Sequence, residues 1–325
     1  MDQNIKSHVL GVDISVRHTT YAIVDIQGDI VARDTFKTSD HPNVNDFVTT
    51  LSEKVVQLAE SSIGYENIRS MGISAPSANY LTGCIENSPN LPWKGIVPLA
   101  AMLRDRLGIS VALGNDAHVR ALGEHAFGSA HGMKNFLIIC LGHGIGSCIF
   151  SEGEAHLGTD GFAGEIGHTC VVRGGRECGC GRQGCLEAYC ADKGIVATAK
   201  EMMAESDKPS LMRSLERLTP KTIVECCEQG DEMAIEVYRK TGAILGRIIA
   251  NYASIIDPEA VIFTGGIANA GHWLFDTANE EFENHIVHTR KGKIRFLRSF
   301  INDRERDVLG ASVLAWGIKE YSLFK

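Results

Sequence analysis

The chain has 325 residues, of which 44% are hydrophobic and 22% are charged, and its formal net charge is −8. This length suggests about two domains of an ordinary globular protein. The acidic balance argues against a nucleic-acid partner, because proteins that bind a phosphate backbone usually present a basic face. No apolar run is long enough to span a bilayer, and the polar residues 1–8 contain no signal core. We therefore expect a cytoplasmic protein without a membrane partner.

Hydrophobic periodicity predicts two successive α/β segments. The first segment is predicted to contain strands 9–14, 19–25 and 29–36, helix 44–59, strand 68–74, helix 97–107, strand 110–113 and helix 116–127. A related order follows, with strands 136–141 and 146–150, helix 232–256, strands 260–264 and 294–300, and helix 307–321. This repetition predicts two α/β domains with a cleft between them. The predicted bounds are 1–120, completed by the helix 305–325, and 121–304.

Three cysteines, Cys178, Cys180 and Cys185, stand within eight positions and are separated by glycines, with His168 ten residues upstream of the first. Three thiolates and one imidazole form a tetrahedral zinc set, and four protein ligands leave no place for activated water. We therefore predict a structural rather than a catalytic zinc site, the zinc-binding motif 168–185. The alternatives are a chance cluster and a disulfide, although a bond between Cys178 and Cys180 would be strained.

Several polar side chains are candidates for catalysis or for binding a polyhydroxyl ligand. Asp116 follows a predicted strand next to Asn115, so it is either a helix cap or a general base that accepts a proton from a substrate hydroxyl. Glu165 and Glu187 flank the predicted zinc ligands, and they either bind paired hydroxyl groups or orient the ligands themselves. Asn90 lies between two prolines, where it either adds an amide to the site or belongs to a surface turn.

Two glycine-rich stretches at strand ends can offer backbone amides to a phosphate. They are Gly142-His143-Gly144-Ile145-Gly146-Ser147 and Thr264-Gly265-Gly266. Neither stretch has the spacing of a dinucleotide fingerprint or of a P-loop. The alternative for each glycine pair is a tight turn, and any bound nucleotide must be held by another scheme.

These motifs together resemble the ROK family (repressors, open reading frames, kinases), which has the actin-like ATPase or ribonuclease H-like fold of sugar kinases. The resemblance covers nearly the whole chain and rests on the cysteine run followed by Glu187, on Gly164-Glu165-Ile166-Gly167-His168, on Asn115-Asp116 and on both glycine-rich stretches. The stretch Pro89-Asn90-Leu91-Pro92-Trp93 is similar to that of glucokinase-type members.

The resemblance implies that the γ-phosphoryl group of ATP is transferred, with Mg²⁺, to a hexose such as glucose to give a sugar 6-phosphate. Asp116 would be the catalytic base, and Asp13 would position Mg²⁺ through water. The sugar would be held by Asn90, Asn115, Asp116, Glu165, His168 and Glu187, with His168 also binding zinc. The nucleotide would be held near Asp13, Gly142, Gly144, Gly265 and Gly266. Most family members form dimers, so a homodimer is expected.

The sequence differs from the family pattern at the loops that are expected to bind phosphate. The first loop usually reads Asp-x-Gly-Gly-Thr-Lys, whereas this chain reads Asp13-Ile14-Ser15-Val16-Arg17-His18. His143 stands where the second loop usually has threonine, and Ala78 where a glycine is common. These changes leave two alternatives open. One is a sugar-binding sensor with weak or no kinase activity. The other is a kinase that uses another polyanionic phosphoryl donor, which Arg17 and His18 would bind. The first strand starts by Val9, which leaves no room for the DNA-binding segment of family repressors and favours a kinase.

Overall fold

The computed structural model describes residues 6–318. The chain divides into two compact units. The first unit comprises the residues up to Gly132, the segment Leu157–Phe162 and the residues from Phe300 onward. The second unit comprises Met133–His156 and Ala163–Ser299. Within the described residues, no helix combines the length and the apolar character needed to cross a bilayer.

The strands are, in chain order, β1 (His8–Ile14), β2 (His18–Asp25), β3 (Ile30–Lys37), β4 (Ile68–Ser74), β5 (Ala78–Asn79), β6 (Cys84–Glu86), β7 (Ile96–Val97), β8 (Ser110–Gly114), β9 (Phe136–Leu141), β10 (Ile145–Ser151), β11 (Glu154–Ala155), β12 (Ala260–Thr264) and β13 (Arg295–Arg298). The α-helices are α1 (Val44–Glu60), α2 (Leu99–Leu107), α3 (Asp116–Phe127), α4 (Glu187–Cys190), α5 (Asp192–Glu205), α6 (Pro220–Glu228), α7 (Glu232–Ile256), α8 (His272–His285) and α9 (Arg306–Trp316).

The two units repeat one sheet topology. The first sheet has the order β3-β2-β1-β4-β8, and the second has the order β11-β10-β9-β12-β13. In each sheet the first three strands along the chain are antiparallel neighbours, and the last two pair in parallel. The short strands β5, β6 and β7 form a small separate sheet in the first unit. In both units, therefore, parallel strands direct their carboxyl ends to one edge, where loops can carry functional groups.

Helix α9 lies directly on the first sheet because a glycine stands beneath it. A Cβ atom on Gly72 of β4 would lie 1.9 Å from the carbonyl oxygen of Ala311. Helix α9 approaches α3 equally closely through Gly310, whose Cβ would lie 2.2 Å from the carbonyl oxygen of Val119. Any side chain at these glycines would push the backbones apart. Helices α3 and α9 are thus held side by side, which fixes the relative positions of their N-termini.

The predicted α/β class with two units is confirmed. The structure contains helices α5, α6 and α8 and the small sheet β5–β7, which the periodicity did not predict. The predicted strand 294–300 is shorter, and the predicted end of the last helix at Tyr321 lies outside the described residues. The domain bounds expected from the sequence stay a prediction. The structural division differs from them in keeping all of α3 in the first unit, because that helix packs against α9.

Candidate functional site

Helix α3 is capped by Asn115, and this bears on the two roles considered for Asp116. The Asn115 side-chain oxygen accepts the backbone N–H of Ala117 at 2.8 Å. Asp116 is the first helical residue, half-buried, and one of its carboxylate oxygens lies 3.2 Å from the same N–H. Of the two roles that the sequence left open for Asp116, the capping role therefore belongs mainly to Asn115. The Asp116 carboxylate is placed at the helix N-terminus, where it can act as a base.

A charged cluster, formed by Asp13, Asp116, Arg120 and Asp307, lies in the first unit. Arg120 follows Asp116 by one helical turn and donates to both carboxylate oxygens of Asp307, at 2.5 and 3.1 Å. Burial and then the charge of Asp307 raise the pKa of Asp13 to about 8, Asp116 adds to the rise, and Arg120 opposes it. A divalent cation with oxygen ligands would offset this accumulation of carboxylates and favour ionised Asp13. The cluster therefore fits the Mg²⁺-positioning role expected for Asp13.

Asn90 is exposed on a loop that is anchored on both sides. Leu91 and Trp93 are buried, with 1% and 4% of their surface exposed. The Trp93 indole N–H donates to the carbonyl oxygen of His41 at 3.1 Å, and its ring packs on Phe47 with centroids 4.5 Å apart. A fixed loop that exposes an amide suits ligand binding, as it also suits the surface turn considered from the sequence. Among the predicted residues of the first unit, Asp13 and Asp116 lie close enough for their charges to interact.

The four predicted zinc ligands converge in the second unit. One donor atom from each of His168, Cys178, Cys180 and Cys185 lies within 4.8 Å of the other three. The Cys178 sulfur is 3.6 Å from His168 Nδ1, and the Cys180 and Cys185 sulfurs are 3.7 Å apart. A tetrahedral zinc ion, with Zn–S of about 2.3 Å and Zn–N of about 2.1 Å, requires separations of about 3.6 Å and 3.8 Å respectively. The donor set and its spacing therefore fit zinc.

Both glutamates that flank the zinc ligands contact them. Glu165 Oε2 lies 4.0 Å from Nε2 of His168, the ring nitrogen that faces away from Cys178. Glu187 Oε1 lies 3.9 Å from the Cys178 sulfur, and its Oε2 accepts the backbone N–H of Ile145 at 2.9 Å. Glu165, His168 and Glu187 are thus brought together, and Glu187 also joins the metal ligands to the loop before β10. This second contact was not foreseen from the sequence.

Arg176 ties the cysteine loop to helices α4 and α5 without the help of metal. Its guanidinium donates to the carbonyl oxygens of Ala188 and Gly194, at 3.1 and 3.0 Å, and to the Thr198 hydroxyl at 3.0 Å. It also forms a two-point ion pair with Glu201 and lies over the ring of Tyr189, 4.6 Å from the centroid. No motif marked this arginine. Its contacts fix the turn that precedes Cys178.

Replacing Arg176 with lysine is expected to lower the free energy of unfolding by about 2 kcal/mol, because one ammonium group cannot replace the forked set of charge-assisted hydrogen bonds. Urea denaturation followed by circular dichroism measures the effect. Arg173→Lys is the matched control, since Arg173 lies on the same loop with its side chain exposed. Equal stability of the two variants would contradict the role assigned to Arg176.

The glycines predicted to hold a nucleotide divide into two kinds. A Cβ on Gly144 would lie 2.5 Å from Glu187 Oε2, and one on Gly265, whose φ is +91°, would lie 2.3 Å from the carbonyl oxygen of Leu141. Packing against backbone therefore explains Gly265, whereas a side chain at Gly144 would have to displace the carboxylate of Glu187. A Cβ on Gly142 or Gly266 would meet open space. The Gly142 N–H already donates to the carbonyl oxygen of Gly144 at 3.0 Å, and the buried Thr264 hydroxyl has no hydrogen-bond partner among the described residues.

The turn between β1 and β2 uses its own hydrogen-bond donors. The backbone N–H and the hydroxyl of Ser15 both donate to the carbonyl oxygen of His18, at 2.9 and 2.8 Å. The His18 N–H donates back to the Ser15 hydroxyl at 3.2 Å. In the second loop, His143 Nδ1 lies 2.6 Å from a carboxylate oxygen of Asp192, the first residue of α5. Both altered phosphate loops thus make internal contacts that a phosphate would have to replace.

His118, two residues after Asp116, is buried and packs edge-on against the ring of Tyr80, with centroids 5.5 Å apart. Burial lowers the pKa of His118 to about 4. Nothing in the sequence distinguished this histidine from a solvent-exposed one.

We expect His118 to make the fold sensitive to acid. Its pKa is about 4 in the folded chain and near 6.5 when unfolded, so the unfolded chain binds more protons between these values. Stability should therefore be complete above pH 6.5 and fall towards pH 4, by up to about 1.4 kcal/mol per pH unit from this group. Melting temperatures measured across this range should fall less steeply for His118→Gln than for the wild type, whereas a variant at the exposed His131 should follow the wild type.

Comparison with known proteins shows the fold and the family. A crystal structure of a ROK family glucokinase from Streptomyces griseus, in complex with glucose and AMPPNP, matches this chain with a TM-score of 0.77 and 28% identity, covering 95% of this chain and 99% of that one. The fold is therefore that of the actin-like sugar kinases. The ROK family model matches residues 9–317, and the chain belongs to the ROK family.

Relatives within this family have more than one role. A glucokinase from Thermotoga maritima is 30% identical over 94% of this chain and 96% of its own length. The N-acetylglucosamine repressor of Escherichia coli is 25% identical over 94% of this chain and 75% of its own length. The predicted family and fold are confirmed, and sugar kinases are among the relatives. Because repressors are also among them, activity must be argued from the site residues.

Proposed function

We propose that this protein is a hexose kinase of glucokinase type, which transfers the γ-phosphoryl group of ATP to the 6-hydroxyl of glucose or a related hexose. The main support for the proposal is the N-terminal cap of α3. Asn115 accepts the N–H of Ala117, which leaves the carboxylate of Asp116, a member of the charged cluster, available to serve as a base. The relatives named glucokinase support the same reaction.

In this reaction the Asp116 carboxylate accepts the proton of the sugar hydroxyl as its oxygen attacks the γ-phosphorus, and ADP leaves. Phosphoryl transfer depends mainly on alignment and charge neutralisation, so one base that orients the hydroxyl suffices. Asp13 would position Mg²⁺, which when bound neutralises charge on the phosphates. Asn90, Asn115, Glu165, His168 and Glu187 would hold the sugar hydroxyls, and Gly142 and Gly266 would admit the phosphates to the backbone.

Zinc would be held by His168, Cys178, Cys180 and Cys185, and it would supply structural rigidity to the sugar-binding residues. The two ring nitrogens of His168 can serve separately, since Nδ1 faces the Cys178 sulfur and Nε2 faces Glu165. The imidazole would thereby bind metal through one edge and orient a sugar ligand through the other. The homodimer and the cytoplasmic location expected from the sequence stay predictions, the first of which sedimentation measures directly.

A sugar-binding regulator with weak or no kinase activity is the second candidate. It is favoured by the turn at residues 15–18, because Ser15 and His18 already use their N–H groups within the turn. Phosphate-binding loops need donors that point outwards, and electrostatic stabilisation is usually the largest catalytic contribution. A turn that uses its N–H donors internally would weaken phosphoryl transfer. The residues proposed to bind the sugar would be unaffected.

An assay of purified protein with MgATP and a panel of hexoses, followed by detection of sugar 6-phosphate, tests the proposal. Calorimetry with sugar alone and with a nonhydrolysable ATP analogue separates the candidates. Product formation with one hexose supports the kinase. Sugar binding without nucleotide binding or product supports the regulator. The fourfold variant Ser15→Gly, Val16→Gly, Arg17→Thr and His18→Lys should then create activity if the turn is the obstacle.

A further inference from the structure

A fifth cysteine stands directly opposite one of the metal ligands. Cys170 and Cys185 face each other across an isolated antiparallel bridge. Two backbone hydrogen bonds flank the pair, from Val171 N–H to Gly184 O at 2.7 Å and from Leu186 N–H to Thr169 O at 2.9 Å. This pattern defines a non-hydrogen-bonded pair, in which the Cα atoms are about 4.5 Å apart and both side chains share one face. Disulfides span Cα distances of about 4.4–6.8 Å.

The backbone beside the pair leaves space for the Cys170 sulfur. Gly184 has a φ of +77°, and a Cβ on it would lie 3.2 Å from that sulfur. The Cys170 thiol therefore lies against the peptide that carries Cys185. A rotation about side-chain bonds, rather than a backbone movement, is all that bonding of the two sulfurs requires.

The two sulfurs differ in accessibility and in role. Cys170 is exposed and is not one of the four clustered ligands, whereas Cys185 is a ligand with 1% of its surface exposed. An oxidant dissolved in water reaches an exposed thiol before a buried one. Cys180 is also exposed, but a metal ion would hold its sulfur. Cys170 is thus positioned to receive oxidation and to pass it to a ligand.

We propose that Cys170 is an oxidation site through which a hydroperoxide joins Cys170 to Cys185 and releases zinc. The peroxide transfers one oxygen to the Cys170 thiol, giving a sulfenic acid and the corresponding alcohol, or water when the oxidant is hydrogen peroxide. The Cys185 thiolate then attacks the sulfenyl sulfur, the disulfide forms and hydroxide leaves. The two sulfurs lose two electrons, and these electrons reduce the peroxide. Three ligands remain for the metal, and a dithiol reverses the change.

The proposal rests on the zinc site and goes beyond the proposed kinase activity. Loss of Cys185 as a ligand frees His168 and the Cys178 loop, which Glu187 contacts. Sugar-binding residues would then lose their common anchor. The chain would in this way respond to peroxide through residues of the second unit.

The test uses the full-length, zinc-loaded protein with hydrogen peroxide. Zinc release is followed with a metallochromic dye, and disulfides are mapped by mass spectrometry. We expect release of about one equivalent of zinc per chain, together with a Cys170–Cys185 peptide. Release should be at least about tenfold slower for Cys170→Ser, because sulfenic acid chemistry follows the accessible thiol. Cys84→Ser is the matched control, since Cys84 is a half-buried thiol outside the cluster, and it should behave as the wild type.

Equal rates of zinc release from Cys170→Ser and the wild type would overturn the proposal. A disulfide between two ligands, such as Cys180 and Cys185, would do the same, as would a purified protein without zinc. Neither readout depends on phosphoryl transfer. A protein that forms no sugar phosphate can therefore still confirm or refute the oxidation site.

Discussion

The variant Asp116→Asn is expected to lower kcat for hexose phosphorylation by about 10²–10⁴-fold, because the amide cannot accept the hydroxyl proton. Hexose affinity should stay within about tenfold, since asparagine keeps the shape of the side chain and one acceptor oxygen. The cap of α3 should also survive, because Asn115 provides it. Steady-state kinetics and calorimetry with the sugar measure the two effects separately.

Asp46→Asn provides a control for removal of an acidic charge from the start of a helix. Asp46 lies in the first turn of α1, is exposed and follows an asparagine cap, as Asp116 does. This control should keep full activity. Residual activity of Asp116→Asn within tenfold of the wild type would show that another group takes the proton. The charged cluster would then have to be assigned a different role.

Replacing Cys178 with serine is expected to abolish stoichiometric zinc binding and to weaken hexose affinity by about 100-fold. A loss of this size is typical when a residue that organises a metal site is replaced. Glu187 contacts the Cys178 sulfur, and His168 faces it, so both sugar-binding candidates lose a fixed neighbour. Elemental analysis and calorimetry with the sugar provide the measurements.

The fold of this variant should persist, because Arg176 attaches the same loop to α4 and α5 through contacts that need no metal. Cys84→Ser should retain both zinc and affinity. If Cys178→Ser binds hexose as tightly as the wild type while containing no metal, the zinc site does not organise the sugar-binding residues. The site would then support stability alone.

Much of the site could be predicted because its signals are local in the chain. The cysteine spacing and the histidine upstream predicted a metal cluster, and the four side chains do converge. Glu165 and Glu187 were placed beside that cluster because they flank its ligands. Helices α1, α3 and α7 and the central strands of both sheets could be predicted from the spacing of hydrophobic residues. Each of these helices buries one face, and the central strands are buried. Such signals depend on few residues and short separations.

Other features depend on residues far apart in sequence. Arg120 and Asp307 meet only because glycines let α9 pack against α3, and no pattern near either residue indicates a partner. The bond from Ile145 to Glu187 and the contacts of Arg176 require the loop geometry itself. The division of the capping role between Asn115 and Asp116 likewise required hydrogen-bond geometry. A capping role and a role as base are equally compatible with the sequence around Asp116.

Gly144 has a consequence for how related chains are compared. The space that a side chain would need there is occupied by the carboxylate of Glu187. The position of this carboxylate therefore favours glycine at residue 144, whether or not the loop binds a phosphate. Glycine at the corresponding place in a related chain would therefore not by itself be evidence that the chain uses ATP.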